Sequence, residues 1–372
     1  MSNKKVLIIV GTRPEAIKLL PIYVELKKSQ SLTPVLVSTG QHREMLKQVF
    51  QYWGLEPDIE LNVMTKNQSL AGLTSLLFTK IDAICEEVSP WCVLVQGDTT
   101  SAMVGSLIGF YRRCKIGHVE AGLRTFDKYS PFPEEVNRQI IGVTADYHFC
   151  PTQKALEILA KEGKSNTILT GNSVIDSLNF VLSKVRSNMV KYEMKYQDIL
   201  KKGPLVLVTG HRRESFGDGF NNICNAIGTL ASDFSETQWV YPVHLNPKVN
   251  EPVRKMLEHV SNVKLIEPVP YDEMVYLMDV CHMILTDSGG IQEEGPTMNK
   301  PILVMRDNTE RPEGVESGCA VLTGTSSEKI IDTFTKIYSD NDMYQKMADV
   351  SNPYGDGKTS LRIREYLENA IK

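Results

Sequence analysis

Two apolar runs end in an acid beside glycine. In "VLVQGDTTSA" the run stops at Gly97-Asp98, and in "KIGHVEAG" it stops at Glu120 with Gly122 close behind. Successive strands of this kind would project both carboxylates to one place. The stretch "YSPFPEE" brings Glu134 or Glu135 toward them from a loop containing Pro131 and Pro133. Clustered carboxylates repel, so one of them is expected to hold a proton near neutrality. That would supply a general acid and a general base without a metal. The competing use of three acids is a divalent ion. Asp98 alone would read as a helix cap, and it is the repetition at Glu120 that points to a site.

Other strand ends carry different chemistry. "LIIVGTRPEAIK" follows its run with Gly11 and a Thr12-x-x-Glu15 capping box, with Pro14 at the helix start. Open N–H groups there, with Arg13 and Lys18 nearby, suit an anion. "LVLVTGHRRESFGDGF" sets His211 beside Arg212 and Arg213, where an imidazole could meet a phosphate as donor or proton source. In "MILTDSGGIQEEGP", Asp287-Ser288 can cap a helix, and Gly289-Gly290 lets backbone approach an anion closely. Glu293 and Glu294 follow, and an acid there can accept hydrogen bonds from a sugar diol. Arg306 and Arg311 come soon after. Together these residues read as a nucleoside diphosphate site. The dinucleotide pattern Gly-x-Gly-x-x-Gly is absent after the first strand, and so is a Walker loop.

The elements that must position these groups alternate along the chain. Strand-like runs "KVLIIV", "PVLVST", "WCVLVQ", "KIGHV" and "YHFC" are followed by "LVLVT", "QWVYPV", "VKLIE", "HMILT" and "PILVM". They are continuous rather than alternating, as expected of parallel strands covered on both faces. Helix-period segments such as "EAIKLLPIYVELKK" and "SAMVGSLIGFYRR" separate them. The series occurs twice, with a break between Val174 and Lys202, and 372 residues are too many for one ordinary core. The expected fold is therefore α/β, with two doubly wound Rossmann-like domains facing across a cleft. The expected domains are residues 1–173, joined by a final helix over 357–372, and residues 174–356.

Composition narrows the function classes. A net charge of −4 argues against general nucleic-acid binding. No apolar run approaches the ~20 residues that span a bilayer. The start "MSNKKVLIIVGTRPE" resembles a signal peptide only superficially, because Arg13 and Glu15 arrive too soon, and a buried strand fits better. Seven dispersed cysteines without Cys-x-x-Cys read as reduced thiols in a cytoplasmic protein, and a zinc site is not expected.

The motifs "GTRPEAIK", "QHREML", "GDTTSA", "GHVEAGLR", "YSPFPEE", "TGHRRESFG", "YPVHLNP", "LTDSGGIQEE", "ERPEG" and "NPYGDG" run in order from Gly11 to Gly357. Individually several are weak. In this order the chain resembles the bacterial non-hydrolysing UDP-N-acetylglucosamine 2-epimerases over essentially its full length. The resemblance implies the glycosyltransferase-B architecture, a UDP-sugar substrate, no nicotinamide or other cofactor, and no metal. It implies that Asp98, Glu120 and Glu134 serve the sugar chemistry. Arg13, Lys18, His211, Ser288, Gly289, Gly290, Glu294 and Arg311 would hold UDP, with Val269 and Met274 in the same nucleotide-binding set. Met274 stands where many members have an aromatic residue near the uracil. Gln41 and His42 match a patch that binds a second UDP-GlcNAc as activator in regulated members, while Asn67 stands where those members often carry arginine. A homodimer and a role in cell-envelope polysaccharide precursors are further implications.

The chemistry follows from the substrate class. The C2 proton of an N-acetylhexosamine is not next to a carbonyl, so direct abstraction is slow. Departure of UDP from C1 acidifies it. The expected route is elimination to a 2-acetamidoglucal, reprotonation from the opposite face, and readdition of UDP. His211 would help the departing phosphate as a fourth catalytic group. The alternatives are the same epimerisation on a modified UDP-hexosamine, a glycosyltransferase of the same fold, and a silent UDP-sugar sensor. Which carboxylate faces which side of C2 is left open by the sequence.

Overall fold

The computed structural model describes residues 3–41, 43–65, 68–200, 203–212 and 216–372. The chain divides into two compact units, Met1–Ser177 with Gly355–Lys372, and Leu178–Tyr354. The helix Val174–Ser187 carries the chain from one to the other.

The first unit contains β1 (Lys4–Val10), β2 (Leu32–Ser38), β3 (Ile59–Glu60), β4 (Cys92–Gln96), β5 (Lys115–Val119), β6 (Tyr147–Cys150) and β7 (Thr167–Leu169). They form a parallel sheet in the order β3-β2-β1-β4-β5-β6-β7. Val6 through Val10 have no solvent exposure, which is why β1 reads as an unbroken apolar run. Leu7, Ile9, Val93 and Val95 pack against Leu77, Ile81, Val104 and Ile108 from the helices Leu70–Val88 and Thr100–Tyr111. The second helix lies very close to the sheet at Gly105. A Cβ there would sit 2.6 Å from Ile9 Cδ1. This close approach fixes the helix start immediately after Asp98.

The last helix, Thr359–Ala370, belongs to this first unit. It packs on the helix Arg13–Leu26, with Arg364 Nη1 2.8 Å from Glu25 Oε1. Asp176 receives its first turn, accepting from Ser360 N at 2.8 Å and Thr359 N at 3.3 Å. Tyr366 then lies edge-on to Tyr147 and Phe149.

The second unit contains β8 (Leu205–Thr209), β9 (Gln238–Pro242), β10 (Val263–Ile266), β11 (Met283–Thr286), β12 (Ile302–Val304) and β13 (Ala320–Leu322). Its parallel order is β10-β9-β8-β11-β12-β13. Val206, Val208, Trp239, Tyr241 and Leu285 form its core with Ile223, Ile227, Leu230 and Phe334. Each expected strand is present. The short edge strands β3, β7 and β13 were not expected, because two or three residues are too few to stand out as a strand-like run. All cysteines except Cys114 are buried.

Strand order reverses between β1 and β4 in the first unit and between β8 and β11 in the second. At such a switch point the loops leaving adjacent strands run to opposite faces and open a crevice beyond the carboxyl ends. The loops of interest lie there. Gly11-Thr12 follows β1 and Gly97-Asp98 follows β4, while Gly210-His211 follows β8 and Asp287-Ser288 follows β11.

Candidate active site

In the first unit, Glu120 sits directly after β5 with a backbone φ of 63°, a left-handed conformation that L side chains rarely adopt. That twist lays its carboxylate against Gly97, 3.4 Å from where a Cβ would be. Glu120 Oε2 accepts from Gln96 Nε2 at 2.7 Å and Arg138 Nη2 at 3.3 Å, and Oε1 pairs with Lys18. Asp98 Oδ2 accepts from Arg138 Nη2 at 2.5 Å and Nε at 3.1 Å. The Arg138 guanidinium also donates Nη1 to the Glu120 carbonyl at 2.5 Å.

This geometry changes one expectation. Asp98 and Glu120 are brought together, but Arg138 stands between them and Lys18 covers the second oxygen of Glu120. The carboxylates are therefore held by cations rather than facing one another bare, and the expected mutual repulsion gives way to charge compensation. Neither Arg138 nor Gln96 was singled out from sequence. Arg138 follows Glu134 by one helical turn, a spacing that could have flagged it once the helix start was known.

The helix Glu134–Thr144 crosses these strand tips, and Asn137 Nδ2 donates to the Asp98 carbonyl at 2.9 Å. Glu134 opens the helix and is half-buried, on the same face as Arg138. Glu135 is committed elsewhere. It accepts from Thr125 N at 2.9 Å and Gln139 Nε2 at 2.9 Å, bracing the loop that precedes the helix. Burial pushes the Glu135 carboxyl up, but the hydrogen bonds from Thr125 and Gln139 outweigh it and leave it below its ordinary value.

Behind the cluster, His118 Nε2 donates to the Gly97 carbonyl at 2.8 Å. Burial first, then the nearby Arg138 charge, hold this imidazole well below its ordinary pKa, so it is neutral. The loop after β1 is tied in by Glu15. Its Oε2 accepts from Thr12 N at 2.6 Å, Thr12 Oγ1 at 2.8 Å and Gly11 N at 3.1 Å, and its Oε1 from Thr99 Oγ1 at 2.7 Å. The capping box is thus formed and extended across to β4, where Thr99 also caps the next helix by accepting from Ala102 N at 3.0 Å. Burial pushes the Glu15 carboxyl up to about 7 despite these bonds. Arg13 opens the same helix, half-buried. Gln41 Oε1 accepts from Ser101 Oγ at 3.2 Å, while His42 and Asn67 lie outside the described residues.

In the second unit, Gly289-Gly290 begins a short helix with Ser288 at its N-cap position and no side-chain capping bond. The Arg212 and Arg311 guanidinium groups flank it, 3.7 Å and 4.0 Å from where a Gly289 Cβ would be. Open helix N–H groups beside two guanidiniums suit an anion. Arg311 also pairs with Glu293. Glu294 accepts from Tyr271 Oη at 2.5 Å, and Tyr271 opens the helix Tyr271–Val280 that carries Met274. Val269 precedes that helix; it and Met274 are half-buried. Tyr271 was not foreseen, since its partner is distant in sequence. Arg306 pairs with Glu310, with its Nη2 3.2 Å from Glu310 Oε1.

Asp287 corrects a second expectation. It is not a helix cap. Its Oδ2 turns back and accepts from the backbone N–H of His211 and of Arg212, each at 2.7 Å. The two switch-point loops offer unpaired donors that a carboxylate at the end of β11 can satisfy. His211 is 46% exposed and stacks on His244 with centroids 5.4 Å apart. Burial lowers its pKa, Asp287 opposes that, and His244 and Arg212 add to it.

Two doubly wound parallel sheets in one chain, each with polar groups massed at its switch point, define the class by its fold: an α/β protein of the glycosyltransferase-B type. A family profile described as UDP-N-acetylglucosamine 2-epimerase matches residues 24–368. The chain belongs to the UDP-N-acetylglucosamine 2-epimerase family, a family of isomerases. It is 47% identical over 373 residues to a UDP-N-acetylglucosamine 2-epimerase of Yersinia pestis, covering 98% of both chains. A corresponding protein of Escherichia coli (strain K12) is 47% identical over 370 residues, again with 98% of each covered. The crystal structure of the Neisseria meningitidis UDP-GlcNAc 2-epimerase bound to UDP-GlcNAc aligns with a TM-score of 0.89 and 44% identity, over 98% of this chain and 100% of that one.

Proposed function

We propose that the protein interconverts UDP-N-acetylglucosamine and UDP-N-acetylmannosamine by eliminating UDP to a 2-acetamidoglucal and adding it back. The observation that carries this reading is the pair Asp98 and Glu120, held by one guanidinium at the tips of adjacent strands. In this reading these two carboxylates handle the C2 proton from opposite faces, and Glu134 assists as a third acid or base. His211, Arg13 and the Ser288–Gly290 helix start stabilise the departing diphosphate. Lys18, Val269, Met274, Glu294 and Arg311 complete the UDP-binding set. A positioned acid or base contributes ~10²–10⁴-fold, so several groups must share the acceleration.

The wider reading is a cytoplasmic homodimer that supplies precursors for cell-envelope polysaccharide. A second UDP-GlcNAc would act as activator through the region of Gln41 and His42. Among the described residues no helix is long and apolar enough to cross a membrane.

The test is anomeric-proton NMR of the purified protein with UDP-GlcNAc alone, in H2O and in D2O. A UDP-ManNAc signal with deuterium at C2 supports the scheme. Epimerisation without deuterium uptake would remove the proton exchange, and no conversion at all would remove the activity.

A further inference from the structure

Asp287 has no solvent exposure, yet only one of its oxygens is engaged. Oδ2 holds the His211 and Arg212 N–H groups, whereas Oδ1 has no hydrogen-bond partner among the described residues. A buried carboxylate oxygen without a donor is costly, so such an atom asks what it faces. It faces His211, whose Nδ1 lies 3.6 Å away. The distance is too long for a hydrogen bond but within a small ring rotation of one. Such pairs often tighten only when a ligand is bound.

We propose that Asp287 is the positioning residue for His211: it accepts a hydrogen bond from Nδ1–H and leaves Nε2 to donate to the departing phosphate. The proposal rests on the UDP-elimination reading above. No bond to Asp287 is made or broken, and its proton inventory does not change. The surroundings suit the task. Two backbone bonds lock the carboxylate to the loop that carries His211, so its position relative to the ring is set by the sheet. The His244 ring, 13° from parallel, limits how the imidazole can turn. The groups facing His211 among the described residues are Asp287 from the β11 loop, His244 from beyond β9 and Arg212 from its own loop. Asp287 is the one that favours the imidazolium needed to meet a developing negative charge, against burial and two cationic or potentially cationic neighbours.

Asp287→Asn is the informative variant, because the amide oxygen can still accept the two backbone bonds while the amide nitrogen cannot accept from Nδ1–H. Rates of UDP-GlcNAc conversion are measured across pH for wild type, Asp287→Asn, His211→Asn and the double variant. The expected result is a kcat loss of about tenfold or more near neutrality with KM little changed. The alkaline limb of the kcat profile should move to lower pH by about one unit, and the double variant should be no worse than His211→Asn. A profile parallel to wild type would reduce Asp287 to a loop brace and overturn the inference, leaving the reaction scheme intact. Normal turnover by His211→Asn would instead overturn the role of His211 itself. If Asp287→Asn does not fold, imidazole nitrogen shifts of wild-type His211 with UDP bound decide the matter: a ring protonated on both nitrogens supports the proposal, and a neutral ring, which lacks one of the two N–H groups, overturns it.

Discussion

Arg138 grips a single oxygen of Asp98 with two donors, Nη2 at 2.5 Å and Nε at 3.1 Å, while its third nitrogen holds the Glu120 carbonyl. The guanidinium is buried, so both carboxylates depend on it for position as well as charge.

Arg138→Met keeps the length and removes the charge. Breaking a buried pair from one side costs ~3–5 kcal/mol, so urea unfolding should show a loss of that order. The double variant Arg138→Met with Asp98→Asn should recover part of it, since the carboxylate is no longer left unpaired. Unchanged stability in the single variant would mean that the pair does not brace the site.

Glu120→Gln retains the size of the side chain and its bond from Gln96. Turnover of UDP-GlcNAc should fall by ~10²–10⁴-fold, while UDP binding measured by calorimetry should be retained. Normal turnover would remove Glu120 from the proton chemistry.

Glu15 gives stability a pH dependence with a definite sign. Its folded pKa is raised from 4.5 to about 7 by burial. The folded protein therefore holds this proton more tightly than the unfolded chain does. The contribution is fully present below 4.5 and is lost as pH rises through about 7. The shift corresponds to an order of ~3 kcal/mol. The hydrogen bonds that Glu15 accepts come from uncharged groups of Gly11, Thr12 and Thr99, which only partly offset burial. Melting temperatures of Glu15→Gln should vary less between about pH 5 and pH 8 than those of wild type. An identical pH dependence in the two proteins would rule out Glu15 as its source.

Gly105 leaves no room between its helix and β1. Gly105→Val should cost ~1–3 kcal/mol by overpacking and, by displacing the helix that starts after Asp98, should lower kcat as well. Wild-type stability would show that the helix can move away freely.

Much of this arrangement was legible beforehand because it is written locally. Continuous apolar runs gave the central strands, and glycine followed by a polar residue marked their ends. The Thr12–Glu15 box and the Thr99 cap are spacings within one helical turn. The strands β3, β7 and β13 left no such mark, being only two or three residues long.

Sequence alone therefore determined the alternation of strand and helix, the strand tips where Asp98, Glu120, His211 and Ser288 stand, and the resemblance that joins them. Tertiary structure alone decided which charges meet. Arg138 lies 40 residues from Asp98 in the chain, and Asp287 lies 76 from His211. It also chose between neighbours, assigning Glu135 to the Thr125 loop and leaving Glu134 beside Arg138. The reason is physical. Periodicity and capping are enforced by bonds within a few residues, whereas a buried charge takes whatever partner the sheet order brings to its strand end.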